Sequence, residues 1–119
     1  SSIQYERLGA EFPGTELSAF IIHVPPGFHS ETVSHVGEEM IYVLDGALTQ
    51  VVDSTAFHLT QGDSLHYRGT SPHSYCNDSP APTRILWSGN LQLFHTPGAA
   101  AFSPPSPPTQ PQPALQEQS

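Results

Sequence analysis

Short runs rich in apolar, β-branched and aromatic residues recur along most of the chain, separated by polar stretches, and each run ends near Gly, Pro, Asn or Asp. Residues 16–24 (ELSAFIIHV) and 83–88 (TRILWS) are rich in β-branched and aromatic side chains, which suit strands better than helices. The same pattern predicts strands over 3–8, 39–45, 47–52, 55–59, 64–67, 73–76 and 91–95. Turn chemistry separates them: Pro13-Gly14, Pro25-Pro26-Gly27, Gly46, Asp53-Ser54, Gln61-Gly62-Asp63, the stretch from Gly69 to Pro72, the loop 77–82 and Gly89-Asn90. Residues 28–36 are expected to be extended or irregular. Strands recurring about every ten residues with turns between them signal an all-β antiparallel sandwich or barrel.

Composition agrees. The chain has 119 residues with 13 Pro and 9 Gly, which leaves few uninterrupted runs of helix formers. From residue 97 the character changes: Pro104, Pro105, Pro107, Pro108, Pro111 and Pro113 alternate with Ser, Thr and Gln. We therefore expect a barrel domain over residues 1–96 and a Pro-rich extended or disordered tail over 97–119. Such a tail can dock as a polyproline helix in an aromatic groove, but its composition fits a passive tail better.

Charge narrows the partners. The formal net charge is -8, and the basic residues are Arg7, Arg68 and Arg84 alone. An acidic domain without a basic cluster is repelled by phosphate, so this part of the chain is not expected to bind nucleic acid directly. Its field favours cations, including amines and metals, although acidity also serves solubility. Cys76 is the only cysteine, so no internal disulfide forms. No apolar run approaches the roughly 18 residues of a membrane span, and the N-terminus lacks a signal-peptide pattern, so a cytoplasmic location is expected. The chain opens on Ser1 and moves straight into strand-like sequence, which suggests that a further segment precedes it.

Two stretches carry the chemistry. Along residues 39–45, Glu39, Ile41, Val43 and Asp45 share one face and Met40, Tyr42 and Leu44 the other. Both faces are largely apolar, so both are expected to be covered. A carboxylate aimed into a covered space is costly unless a metal, a cation or strong donors meet it. His35 precedes Glu39 by four residues, with Gly37 between them to allow a bend, and His73 follows Pro72, which holds its approach extended. We expect His35, Glu39 and His73 to surround one pocket. His29, His66, Tyr67 and Tyr75 could line it too, although a histidine on a strand is more often a satisfied surface or core group. Glu38 should point away from Glu39, and Asp45 and Asp63, beside turn glycines, should serve turns.

These residues resemble the two motifs of the cupin superfamily. In the first, His35, Glu39 and Gly46 stand at the family's offsets, and in the second Gly62, His73 and Asn77 do. The resemblance covers roughly residues 20–95 and implies a double-stranded β-helix, or jelly-roll, barrel. It also implies a metal site of which three members remain, His35, Glu39 and His73, because Val33 replaces the first histidine of the motif. Arg68 and Thr70 replace a Pro and a Gly of the second. A two-histidine, one-carboxylate set with open positions suits a divalent metal: Zn, Fe, Mn or Ni.

A narrower resemblance is to the C-terminal cupin of helix-turn-helix regulators of the XRE type, carried by His35-Val36-Gly37-Glu38-Glu39, Gly62-Asp63-Ser64 and Pro72-His73 through Asn77. It implies a sensing domain without catalysis that binds a small-molecule effector, forms a homodimer, and reaches DNA only through an N-terminal helix-turn-helix that this sequence lacks. Several such regulators govern polyamine or amino-acid catabolism. A polyamine needs carboxylates and aromatic faces, for which Glu31, Glu39, Tyr67, His73, Tyr75 and Trp87 are the candidates. The alternative is a stand-alone metal-dependent enzyme, a dioxygenase or isomerase, resting on the retained metal set.

Overall fold

The computed structural model describes residues 2–90, and there the strand-like runs become eight strands. They are β1 (Gln4–Arg7), β2 (Leu17–Val24), β3 (Glu38–Asp45), β4 (Ala47–Val52), β5 (Thr55–Thr60), β6 (Ser64–Arg68), β7 (His73–Cys76) and β8 (Thr83–Asn90). A five-stranded sheet has the order β1-β2-β8-β3-β6, and a three-stranded sheet the order β5-β4-β7. Every pairing is antiparallel. The chain passes from one sheet to the other at the β3–β4, β5–β6, β6–β7 and β7–β8 turns, which is the crossing pattern of a jelly roll. Among the described residues no helix is long and apolar enough to cross a membrane.

Strand alternation fills the space between the sheets. Phe20, Ile22 and Val24 from β2, Ile41 and Val43 from β3, Leu48, Leu59, and Ile85 and Trp87 from β8 form one buried cluster. Each such side chain contributes about 1.5–3 kcal/mol when taken fully out of water. The β4–β5 hairpin turns at Asp53 and Ser54, both at positive φ, as a two-residue loop that matches strand twist requires.

Residues 28–35 extend the smaller sheet. Val33 and His73 exchange backbone hydrogen bonds of 2.9 Å in both directions, and Ser30 N donates to Tyr75 O. Tyr75 N in turn donates to the Ser30 hydroxyl, which stands in for a carbonyl of the ladder. This edge segment carries His29, Glu31, Val33 and His35 along the rim of the interior.

Two turns are held by buried polar side chains. Gly46 has φ 90°, and an added Cβ would come within 2.6 Å of the Thr83 hydroxyl. That hydroxyl donates to Ala47 O and accepts from Ala47 N. Asn77, fully buried, donates to Val24 O and Ala81 O and accepts from the Ser79 amide and hydroxyl, so one side chain fixes the entire 77–81 turn. Asp63 serves its turn as expected, accepting from Thr60 N.

Some expectations are corrected. Gly89-Asn90 is not a turn: β8 runs through both. Gly89 is needed for close approach, since a Cβ there would meet the Trp87 ring at 2.8 Å, and Asn90 Oδ1 accepts from Glu38 N. The two faces of β3 are not both covered. Glu39, Ile41 and Val43 point inward, whereas Met40 (43% exposed) and Tyr42 (40%) lie on the outer face of the large sheet, against which no described element packs. Alternation also breaks at a register shift between Val43 and Asp45, and Asp45 pairs with Arg84 at 2.8 Å at the surface. The strand expected over 91–95 and the tail over 97–119 lie outside the described residues.

Replacing Asn77 by Ala would leave buried partners of the 77–81 turn unsatisfied, each costing about 1–3 kcal/mol. We expect Asn77→Ala to lower unfolding stability by at least about 2 kcal/mol, measured as a shift in the urea midpoint at unchanged slope.

Candidate functional site

The inward face of β3 brings Glu39 to the centre of the interior, and the rest of the site is assembled around its two oxygens. Oε1 accepts from Tyr67 Oη on β6 at 2.6 Å and from Trp87 Nε1 on β8 at 2.9 Å. Register explains both: Glu39 lies opposite Tyr67 and beside Trp87's row. Oε2 faces His35 Nε2 at 2.5 Å and His73 Nε2 at 3.2 Å, with all three side chains buried. Gln50, buried on the inward register of β4, donates to Tyr67 Oη at 3.3 Å and extends the network to the smaller sheet.

The histidines are oriented from behind. His73 Nδ1 lies 2.7 Å from Ser71 O, and His35 Nδ1 lies 3.3 Å from Val36 O. Each carbonyl favours a proton on Nδ1, which turns the Nε2 lone pair toward Glu39 in the neutral ring. Gly69 completes the seating of His35. Its carbonyl accepts from His35 N at 2.9 Å, and an added Cβ would stand 2.6 Å from His35 Nδ1. A glycine is thus required one position before Thr70, where the motif places one.

The electrostatics follow from this packing. Burial pushes the Glu39 carboxyl up, but the contacts with His35, His73 and Tyr67 outweigh it and hold the pKa at about 2. Burial pushes His73 down, yet hydrogen bonding and charge attraction to Glu39 leave it raised. Burial, then the Glu39 charge, pushes the Tyr67 phenol well above 10. Glu39 is therefore an anion enclosed by neutral phenol and indole donors on one side and two imidazoles on the other.

Three potential ligand atoms, His35 Nε2, Glu39 Oε2 and His73 Nε2, lie within 4.8 Å of one another. Glu39 Oε2 and His73 Nε2 are buried and face each other at 3.2 Å, a contact that becomes a hydrogen bond only when a proton sits on Nε2. Two lone pairs and a carboxylate oxygen aimed at one point need a cation or a proton between them. The donor set fits a divalent metal of the borderline class on this observation. Val33, which stands at the motif position of a further histidine, lines the cavity wall.

A cavity of about 280 Å³ opens beside this cluster, between the two sheets. Glu31, Glu39, Tyr67, His73, Tyr75 and Trp87 all line it, so the structure brings together every residue expected to meet a ligand. His35 sits behind Glu39 and is absent from the lining. His29 reaches the lip. His66 does not enter: its register opposite Met40 puts it outside, where Nε2 meets Glu38 Oε1 at 2.6 Å, and Glu38 points outward as expected. Tyr5, Phe20, Phe28 and Gln50 also line the wall, beyond the residues expected there. Gln50 was detectable, because β4 alternation places it in line with buried Leu48.

Comparisons with known proteins agree with this geometry. A family described as "Cupin domain" matches residues 20–89. The chain is 31% identical over 67 residues to the HTH-type transcriptional regulator PuuR of Escherichia coli (strain K12), covering 56% of this chain and 36% of the regulator. It is 26% identical over 86 residues to the dimethylsulfoniopropionate lyase DddQ of Ruegeria pomeroyi, covering 71% of this chain and 43% of the lyase. The chain thus spans less than half the length of these curated relatives. Among solved structures, the cupin domain of an XRE family transcriptional regulator from Enterobacter cloacae superposes with a TM-score of 0.69 at 23% identity, covering 75% of this chain and 96% of that one.

Removing the central carboxylate strands its four partners. Breaking a buried charge cluster by deleting one member costs about 3–5 kcal/mol, so we expect Glu39→Ala to destabilise the metal-free domain by that amount in urea denaturation with a chelator present.

Proposed function

As a member of the cupin domain family, this chain is, we propose, the small-molecule-sensing domain of a bacterial transcriptional regulator. The observation that carries this reading is the cavity: it is enclosed by aromatic side chains, floored by the Glu39 cluster and edged by Glu31. The match to PuuR and the likeness to the Enterobacter cloacae regulator domain support it. In this reading DNA contact belongs to a helix-turn-helix segment beyond this sequence, and the protein works in the cytoplasm.

The ligand chemistry we propose is a small amine, a polyamine or an amino-acid derivative. Both Glu39 oxygens are already engaged, so Glu39 sets the field of the cavity and holds His35 and His73 rather than receiving the amine directly. Glu31 at the rim is the carboxylate placed to pair with an ammonium group, and the faces of Tyr67, Tyr75 and Phe28 suit its cationic body. His35, Glu39 and His73 would hold a divalent metal, which supplies a Lewis-acidic centre at the cavity floor. The exposed outer face of the large sheet, with Met40 and Tyr42 flanking the β8 row, is where a second copy would pack to form a homodimer.

A second reading is a metal-dependent enzyme. The intact two-histidine, one-glutamate set and the match to the lyase DddQ favour it. Turnover abolished by a chelator and restored by one equivalent of metal would select this reading over sensing.

A ligand that binds only the folded state stabilises it by about 2.7 kcal/mol at a hundredfold excess over its Kd. We expect a linear diamine to raise the melting temperature of the wild type, and Glu31→Gln to lose most of that rise without lowering the ligand-free melting temperature. No shift with any diamine, polyamine or amino acid would remove the amine proposal. For assembly, sedimentation should give a dimer for the wild type and a monomer for Tyr42→Glu.

A further inference from the structure

A second cluster of metal-ligand type lies outside the cavity, at the end of β7. His29 Nε2 stands 3.3 Å from Asp78 Oδ1, and Cys76 Sγ stands 3.4 Å from Asp78 Oδ2. One donor atom from each of the three residues lies within 4.8 Å of the others. A tetrahedral ion held at about 2.3 Å from sulfur and about 2.0 Å from nitrogen and oxygen needs donors separated by this order of distance.

The backbone beneath the cluster is fixed from both sides. His29 and Cys76 face each other in an antiparallel bridge. Gly27 N donates to Asn77 O at 2.7 Å and Asn77 N to Phe28 O at 2.9 Å, so the segment before His29 is tied to the residue before Asp78. Buried Asn77 pins the turn on which Asp78 sits. His29 and Cys76 are therefore presented by paired backbone and Asp78 by a pinned turn, so their backbone positions are set before an ion binds and only side chains remain to be ordered. Cys76 and Asp78 lie at the surface or near it, which leaves a fourth position to water.

We propose that His29, Cys76 and Asp78 form a thiolate-containing site for a transition-metal dication such as Zn²⁺, distinct from the sulfur-free cluster around Glu39. A mixed thiolate, imidazole and carboxylate set prefers borderline-soft ions over Ca²⁺ or Mg²⁺. The site would also bear on the cavity, because His29 lies on its lip. An ion shared by His29 and Asp78 would clip the 28–31 rim to the β7–β8 turn. The assignment stands whatever the cavity binds.

Co²⁺ is the probe, since thiolate coordination gives a near-ultraviolet charge-transfer band that imidazole and carboxylate ligands do not. The chain has a single cysteine, so the band reports Cys76 alone. The titration uses the full chain, kept reduced with a non-chelating phosphine. We expect a saturable thiolate band that follows a one-site isotherm, at one equivalent beyond any Co²⁺ taken by the Glu39 cluster, with its molar intensity unchanged on tenfold dilution of the protein, and bleached by Zn²⁺. Loss of an outer-shell partner typically weakens metal binding by roughly 10–100-fold, so His29→Ala and Asp78→Asn should each weaken the band's apparent affinity by at least that much. Cys76→Ser should abolish the band while leaving the circular dichroism spectrum unchanged. Absence of the band in the wild type would overturn the proposal, as would a band indifferent to both His29→Ala and Asp78→Asn. A band that appears only at high protein concentration would mean that Cys76 bridges two molecules, and would overturn it equally.

Discussion

One buried carboxylate sets the terms for this fold. Glu39 sits near the start of β3, on the inward face it shares with Ile41 and Val43, and an uncompensated anion there would be untenable. The surrounding strands answer it on both oxygens: β6 sends Tyr67, β8 sends Trp87, the edge segment sends His35 and β7 sends His73. These donors come from both sheets. The carboxylate therefore ties the barrel together as well as marking its chemical centre, and the strand registers are constrained by it as much as by the apolar core.

The division of labour between the two oxygens separates structure from function. Oε1 is saturated by groups that keep their protons over the ordinary pH range, so it is a permanent anchor. Oε2 faces two imidazoles whose backbone partners turn their lone pairs inward, so it stays dependent on a proton or a metal. A site built this way is stable with either occupant and changes its charge with the choice. That property would serve a sensor or a catalyst equally.

The strands and the central cluster were readable because they rest on local rules. β-Branched and aromatic runs between turn residues located β2, β4 and β8, period-two alternation set the inward face of β3, and motif spacing brought His35, Glu39 and His73 together although they lie far apart in the chain. Other features depend on through-space approach and leave no periodic trace. Gly69 reads as one turn glycine among several until its contact with the His35 ring is known, and Gly89 mimics a turn while clearing room for Trp87. The exposure of Met40 and Tyr42 also escaped the pattern, because an apolar face looks the same in sequence whether or not anything covers it. His66 and His29 show the converse. His66 lies on β6 and His29 in the extended segment before β3, both near the motifs, and only register and the bridge to Cys76 decide that one lies outside and the other on the rim.

The hydrogen bond from Trp87 to Glu39 has a practical side. Trp87 is the sole tryptophan of the chain, and its ring forms part of the cavity wall while its indole N–H is held by the central carboxylate. Indole emission depends on the local field and on the hydrogen bond made by that N–H. The molecule thus carries a built-in optical probe at its charged centre, and any event that redistributes charge around Glu39 is written into the colour and intensity of a single fluorophore.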